Sequence, residues 1–285
     1  MSGANLQGAN LQGVNFRDTN LSKANLRGAK LFIADCCDCK LNNADLRQAN
    51  LNSADLRNAQ LEGADLRKTD LSLANLRSSN LSSSKLMAAN LRDSDLMGIN
   101  LSNANLQKAN LFNTSFSNAN LTGANLSQAN LTGVNFKNTI LNNANLEGNN
   151  FSGSSLNGAV LNNANLRRVN LSNANLQQSK VSGARLENSN LTGVNLSGAD
   201  LSSTNLSSSN LRGANLTGSN LAGANLSNAD LSGADLTNAN LKNARLDRAN
   251  LTEANLKRAS LIGVQLDKVK LCKTILIDGS QSRCR

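Results

Sequence analysis

The sequence predicts an all-β solenoid, and three regularities predict it. First, a large apolar residue returns every five residues from Leu6 to Leu276 with no break in register. That makes 55 centre positions; 54 hold Leu, Phe or Val, and Cys36 is the one departure. Second, a small side chain stands two residues before the centre (Ala4, Ala9, Val14, Thr19, Ala24), Asn149 being the only strongly polar occupant, with Asn or Asp between them in most phrases. Third, 19 of the 20 glycines share one phase, two residues past a centre, and only Gly279 falls elsewhere.

A period of five fits neither common element. On a helix, successive centres would lie about 500° apart and wrap the cylinder. On a plain strand they would alternate between faces. The small residue and the centre, two apart, point the same way, and the Asn between them points out. The next two residues must then turn the chain. Gly and Asn tolerate positive φ most cheaply, so the glycine phase marks that turn. Each phrase is a short extended step and a corner, with centre and small residue inside.

Phrases such as Ala44-Asp45-Leu46-Arg47-Gln48 and Ala124-Asn125-Leu126-Ser127-Gln128 resemble the A(D/N)LXX pattern of the pentapeptide-repeat proteins. About 50 tandem copies make an accidental match implausible. The resemblance implies a right-handed quadrilateral parallel β-helix, four phrases and twenty residues per coil. That gives about 14 coils and a rod ~65 Å long at the spacing of neighbouring strands. On that geometry the leucines stack coil on coil, each contributing about 1.5–3 kcal/mol by burial before entropy is subtracted. Asn90, Asn110, Asn130, Asn150, Asn170, Asn190 and Asn210 are expected to form one outward ladder. With no proline and no composition break, residues 1–276 read as one repeat domain, with 277–285 a capping tail. The tail sequence, from Cys272-Lys273-Thr274 to Cys284, resembles that of cyanobacterial members.

Composition narrows function. With no histidine there is no Ser-His or Cys-His pair, and neither a Walker loop nor a dinucleotide fingerprint occurs, so no enzyme and no cofactor are expected. No apolar run approaches the ~20 residues of a membrane span. Met1 to Asn10 lack a basic start and a hydrophobic stretch, which makes a cytoplasmic location the expectation. Cys36 and Cys39 read as inward small hydrophobes and Cys37 as outward. Three crowded cysteines without histidine argue against a metal site. Cys272 and Cys284 bracket the tail and are the candidate disulfide, a bond unusual in a reducing cytosol.

The surface offers a few candidates. Residues 17–95 carry twelve bases and ten acids. On twenty-residue coils Arg27, Arg47 and Arg67 stack on one face, and Arg57 and Arg77 on the opposite one; a screened salt ladder is the favoured reading over a phosphate stripe. Phe32, Ile33 and Leu73 fall at outward phases of one face, and Ile140 and Val160 replace outward Asn in successive coils. Both groups are candidate protein contacts. From Lys242 on, ten bases face four acids. Lys257, Arg258, Lys268, Lys270 and Lys273 are candidate anion contacts for nucleic acid or an anionic surface. Without Tyr or Trp the chain has no strong stacking platform. Some members of the resembled family mimic B-form DNA and act on DNA gyrase, a topoisomerase; the net charge of +10 and the lack of loop insertions argue against that here. The first coil has no visible cap. A partner, a second copy giving a homo-oligomer, or further chain could cover it, or its edge could fray in solvent. The favoured expectation is a scaffold that binds protein partners along flat faces.

Overall fold

Within each of two units, nearly every fifth residue pairs in parallel with the residue twenty positions on, which sets the coil. In the computed structural model, which describes residues 1–284, this pairing runs from Asn5–Asn25 to Asn125–Asn145 and again from Asn150–Asn170 to Asn255–Ile275. The chain forms two compact units, Met1–Asn145 and a second beginning at Leu146, and each is a stack of four-phrase coils.

The backbone bonds follow from the phrase. Within a turn, the small residue's N–H donates to the preceding centre's carbonyl, as Ala29 to Leu26 at 3.0 Å. Between coils there are three recurring bonds. Leu26 N donates to Asp45 O (2.7 Å), Gly28 N to Arg47 O (2.9 Å), and Asp45 N to Ala24 O (2.9 Å). The corner residue two past the centre holds a left-handed φ throughout most of the chain, for example 57° at Asn43 and 66° at Gly63. Asn is the common substitute for glycine there because its short polar side chain tolerates that region.

The core is the predicted shaft in both units: Leu46, Leu66, Leu86 and Leu106 are 0% exposed, as are Leu206, Leu226 and Leu236. Phe116 and Phe136 stack with ring centroids 5.4 Å apart. At most of the buried Ser and Thr residues in the small position, Ser179 and Ser219 excepted, the hydroxyl donates to a backbone carbonyl; Thr69 Oγ1 reaches Leu46 O at 2.7 Å, one coil back. Thr69→Val keeps the shape and removes that donor. A loss of about 1 kcal/mol is expected in urea unfolding, and an unchanged midpoint would show the bond to be idle.

Outside, Asn Oδ1 accepts the N–H of the following turn residue, and Asn Nδ2 donates down to the Asn one coil earlier. The ladder links Asn130 to Asn110 (3.0 Å), Asn110 to Asn90 (3.1 Å) and Asn90 to Asp70 (3.0 Å) in the first unit. In the second it links Asn190 to Asn170 (3.1 Å) and Asn170 to Asn150 (3.0 Å). The ends are more open: Leu6, Leu11 and Val14, and at the other end Leu261, Leu266 and Val269, are only half-buried. After Leu276 the chain turns back, Gln281 pairs antiparallel with Ile275, and Ser282 N donates to Thr274 O (2.9 Å). Cys272 and Cys284 are disulfide-bonded there.

The cysteine expectations need two corrections. Cys36 and Cys39 are not separate hydrophobes: they join in a disulfide across one turn, Cα atoms 5.1 Å apart, because centre and small position face each other over that corner. Cys37 is buried, not outward, at 4% exposed; its short side chain lies in the column between Arg17 and Arg57, and its thiol donates to Asp38 Oδ2 at 3.1 Å.

Candidate functional site

We number the four faces of the first unit by their first centres: Leu6 (face 1), Leu11 (face 2), Phe16 (face 3) and Leu21 (face 4).

Phe32, Ile33 and Leu73 lie on face 2, exposed by 36%, 50% and 58%. Ile33 and Leu73 occupy the left-handed corner position, at φ 52° and 61°, in one column with Ser53 between them. Among the described residues, every other non-glycine at positive φ is polar, charged or Ala88, so Ile33 is the one β-branched case. An L residue held there costs about 1–2 kcal/mol, and a branched Cβ is the least suited to it. Phe112, farther along the column of Phe32, is covered by Arg92, whose guanidinium sits 4.8 Å from the ring centroid.

Ile140 is 40% exposed in the first unit, whereas Val160, in the second, is half-buried, so its outward phase leaves less apolar surface than expected. The five candidate anion contacts do not share one side of the coil. In the second unit Lys257 and Arg258 follow Leu256, Lys268 follows Leu266, and Lys270 and Lys273 flank Leu271, which are three different sides of the coil. Lys273 also pairs with Glu253 at 3.8 Å. The sequence grouped these bases by position along the chain; a four-sided coil separates them.

The arginine stripes of the first unit are salt ladders with a difference between faces. On face 3, Arg17, Arg57 and Arg77 each meet a carboxylate, Asp35 at 3.2 Å, Asp55 at 2.6 Å and Asp95 at 3.1 Å. On face 1, Arg47 and Arg67 pair with Asp45 (2.5 Å) and Asp65 (2.6 Å), and Arg27 has no carboxylate within 4 Å among the described residues. Hydrogen bonds from Arg47 and Arg57 hold Asp45 and Asp55 below the usual carboxylate range. At Asp65 burial pushes upward, but the bonds and charge of Arg67 prevail and the group is also lowered. Because the folded values lie below the unfolded value of about 3.9, these pairs stabilise the fold above that pH and the contribution is lost as pH falls through the folded values. The melting temperature is therefore expected to be level from neutrality to about pH 5 and to drop below about pH 4. An Asp45→Asn/Asp55→Asn/Asp65→Asn variant should soften that acid limb; an unchanged limb would show that the pairs contribute nothing.

Family comparison bears directly on this phrase geometry. A family model described as pentapeptide repeats matches in eight copies, over residues 1–32, 34–67, 54–93, 129–168, 170–207, 199–238, 209–248 and 239–276. A second, a pentapeptide repeat region, matches 77–146. The chain belongs to the pentapeptide-repeat family. The coils of each unit are accordingly right-handed and quadrilateral, as the resemblance implied.

Among solved structures, this pentapeptide-repeat protein is similar to HetL, a pentapeptide repeat protein involved in heterocyst differentiation regulation from the cyanobacterium Nostoc sp. strain PCC 7120. The identity is 37%, covering 82% of this chain and 91% of HetL, with a TM-score of 0.35. Rfr23 from the cyanobacterium Cyanothece 51142 is 31% identical, covering 45% of this chain and 83% of its own, with a TM-score of 0.19. A trypsin-treated form of QnrB1, a plasmid-mediated fluoroquinolone resistance protein, is 23% identical, covering 63% and 91%, with a TM-score of 0.38. No curated protein matches the chain. Among the described residues no helix is long and apolar enough to cross a membrane.

Proposed function

We propose that this pentapeptide-repeat protein acts without catalysis of its own, as a scaffold whose first unit binds a protein partner through face 2. One observation carries the reading: two bulky aliphatic residues, Ile33 and Leu73, occupy strained corner positions in one column, beside exposed Phe32. Glycine, asparagine or serine would serve those corners at lower cost, as they do elsewhere in the chain. Strain kept at an exposed site points to use of the side chains rather than to folding. The alternative, anion binding through residues 242–285, is weaker because its candidate contacts Lys257, Arg258, Lys268, Lys270 and Lys273 are spread over three sides of the coil.

The test exploits that strain. Ile33→Gly/Leu73→Gly should leave stability unchanged or raise it by up to about 1 kcal/mol per site, since relief of the left-handed cost offsets the entropy of glycine. The same variant should lose a partner that the wild-type chain retains from native extract at about 200 mM salt, a concentration that screens surface charge. Retention of the same partner would overturn the reading. Retention of nucleic acid alone, released at that salt, would favour the anion-binding alternative.

A further inference from the structure

The opposite charged faces of the first unit look alike in sequence and differ in balance. On face 3, the outward residues of the coils centred from Phe16 to Leu96 carry three arginines against five aspartates: Asp18, Asp35, Asp38, Asp55 and Asp95. On face 1, the phrases centred from Leu26 to Leu86 carry Arg27, Arg47, Arg67, Lys68 and Lys85 against only Asp45 and Asp65. The excess lies at a groove of about 260 Å³ lined by Arg27, Arg47, Gln48, Arg67 and Lys68, with Met87 at one end.

The arginines of this groove are aimed. Arg47 donates Nε and Nη2 to Asp45 (2.8 and 2.5 Å), and Arg67 donates the same two atoms to Asp65 (2.8 and 2.6 Å). Each guanidinium is thereby fixed by one edge, and neither Nη1 is used by a carboxylate. Two such forks one coil apart, ~4.8 Å, flanked by unpaired Arg27 and Lys68, present donors already ordered for an oxyanion. The groove is too shallow to enclose most of a small ligand, which a small-molecule site requires. Its length along four coils suits an extended chain. It holds no aromatic ring on which a base could stack, and Met87 offers an apolar contact.

We infer that the face 1 groove binds an acidic, carboxylate-bearing segment of a protein partner, with an apolar residue of that segment against Met87. The inference rests on the scaffold reading and adds to it the charge of the partner.

The probe is a fluorescein-labelled peptide rich in glutamate with leucine at each end, followed by fluorescence anisotropy at about 150 mM salt. Saturable binding is expected, weakened at least about tenfold by Arg47→Ala/Arg67→Ala. The charge-matched Arg57→Ala/Arg77→Ala on face 3 should bind as the wild type does. Arg27→Glu, which removes no native ion pair, should weaken binding as well and guards against loss of fold in the double variant. Absence of saturation, or equal weakening by the face 1 and face 3 variants, would overturn the inference. So would a single-stranded oligothymidine that binds as tightly with the same variant dependence, because it would assign the groove to nucleic acid. Ile33→Gly/Leu73→Gly should leave peptide binding untouched. Capture of a partner from extract that depends on face 2 but not on Arg47 and Arg67 would sink the groove and leave the scaffold reading standing.

Discussion

Leu106→Asp is expected to abolish the cooperative fold of the first unit. Leu106 is fully buried, and its N–H donates to Asn125 O at 2.7 Å, so it is tied to the next coil by both packing and backbone. Truncating such a side chain to alanine costs about 2–5 kcal/mol. Aspartate adds a charge with no cation inside the shaft, which costs several kcal/mol more or forces the group to protonate. Together these reach the total of about 5–15 kcal/mol that holds a domain of ordinary size. A solenoid spreads the damage, since each coil leans on its neighbours. Leu106→Met, similar in volume, should lose less than about 1.5 kcal/mol. Far-UV circular dichroism and thermal melts of the three proteins give the comparison. A Leu106→Asp melt within a few degrees of wild type would mean that the centre phase is not interior.

Phe116→Ala should be the next most damaging, at about 3–5 kcal/mol. Phe116 and Phe136 are both fully buried, and their rings stack at 20° between planes, so removing one leaves the other facing a void. The loss should not be that of an isolated ring. A double-mutant cycle with Phe136→Ala is expected to return a coupling of about 0.5–1.5 kcal/mol, the usual worth of an aromatic pair beyond its buried area. Phe116→Leu, which restores the common centre residue, should recover most of the loss. Strict additivity of the two alanine changes would contradict the stacking.

The architecture could be read from the chain because one rule, five residues long, repeats with scarcely an exception. Leu and Ala at fixed phases settled the inside, the glycine phase the corner and Asn the outside, and the Asn90–Asn110–Asn130 ladder follows from coil length alone. Family pattern supplied the fourfold closure that the period of five does not contain. Other features depend on distances that spacing does not give. Cys36 and Cys39 sit across one corner, within disulfide reach, although their phases suggested only two inward side chains. Cys37 has an outward phase but is shorter than the arginines of its column, so phase overstated its exposure. The basic stretch after Lys242 looked like one surface because consecutive residues were read as neighbours, and the coil distributes them over separate sides. The strain at Ile33 and Leu73 had a signal in the sequence, two aliphatic residues at the glycine phase, but its cost became plain only with φ in hand.

Pairs of nitroxide labels give the most direct measurement of the coil itself. In a Cys37→Ser background with both disulfides intact, labels at Asn100→Cys and Asn120→Cys occupy bridge partners on neighbouring coils, ~4.8 Å apart in the backbone. Continuous-wave electron paramagnetic resonance should show strong dipolar broadening or spin exchange for that pair. Labels at Asn100→Cys and Asn110→Cys, on opposite faces of the unit, should give the spectrum of isolated spins. Broadening in the second pair, or none in the first, would contradict a twenty-residue coil with its leucines inside.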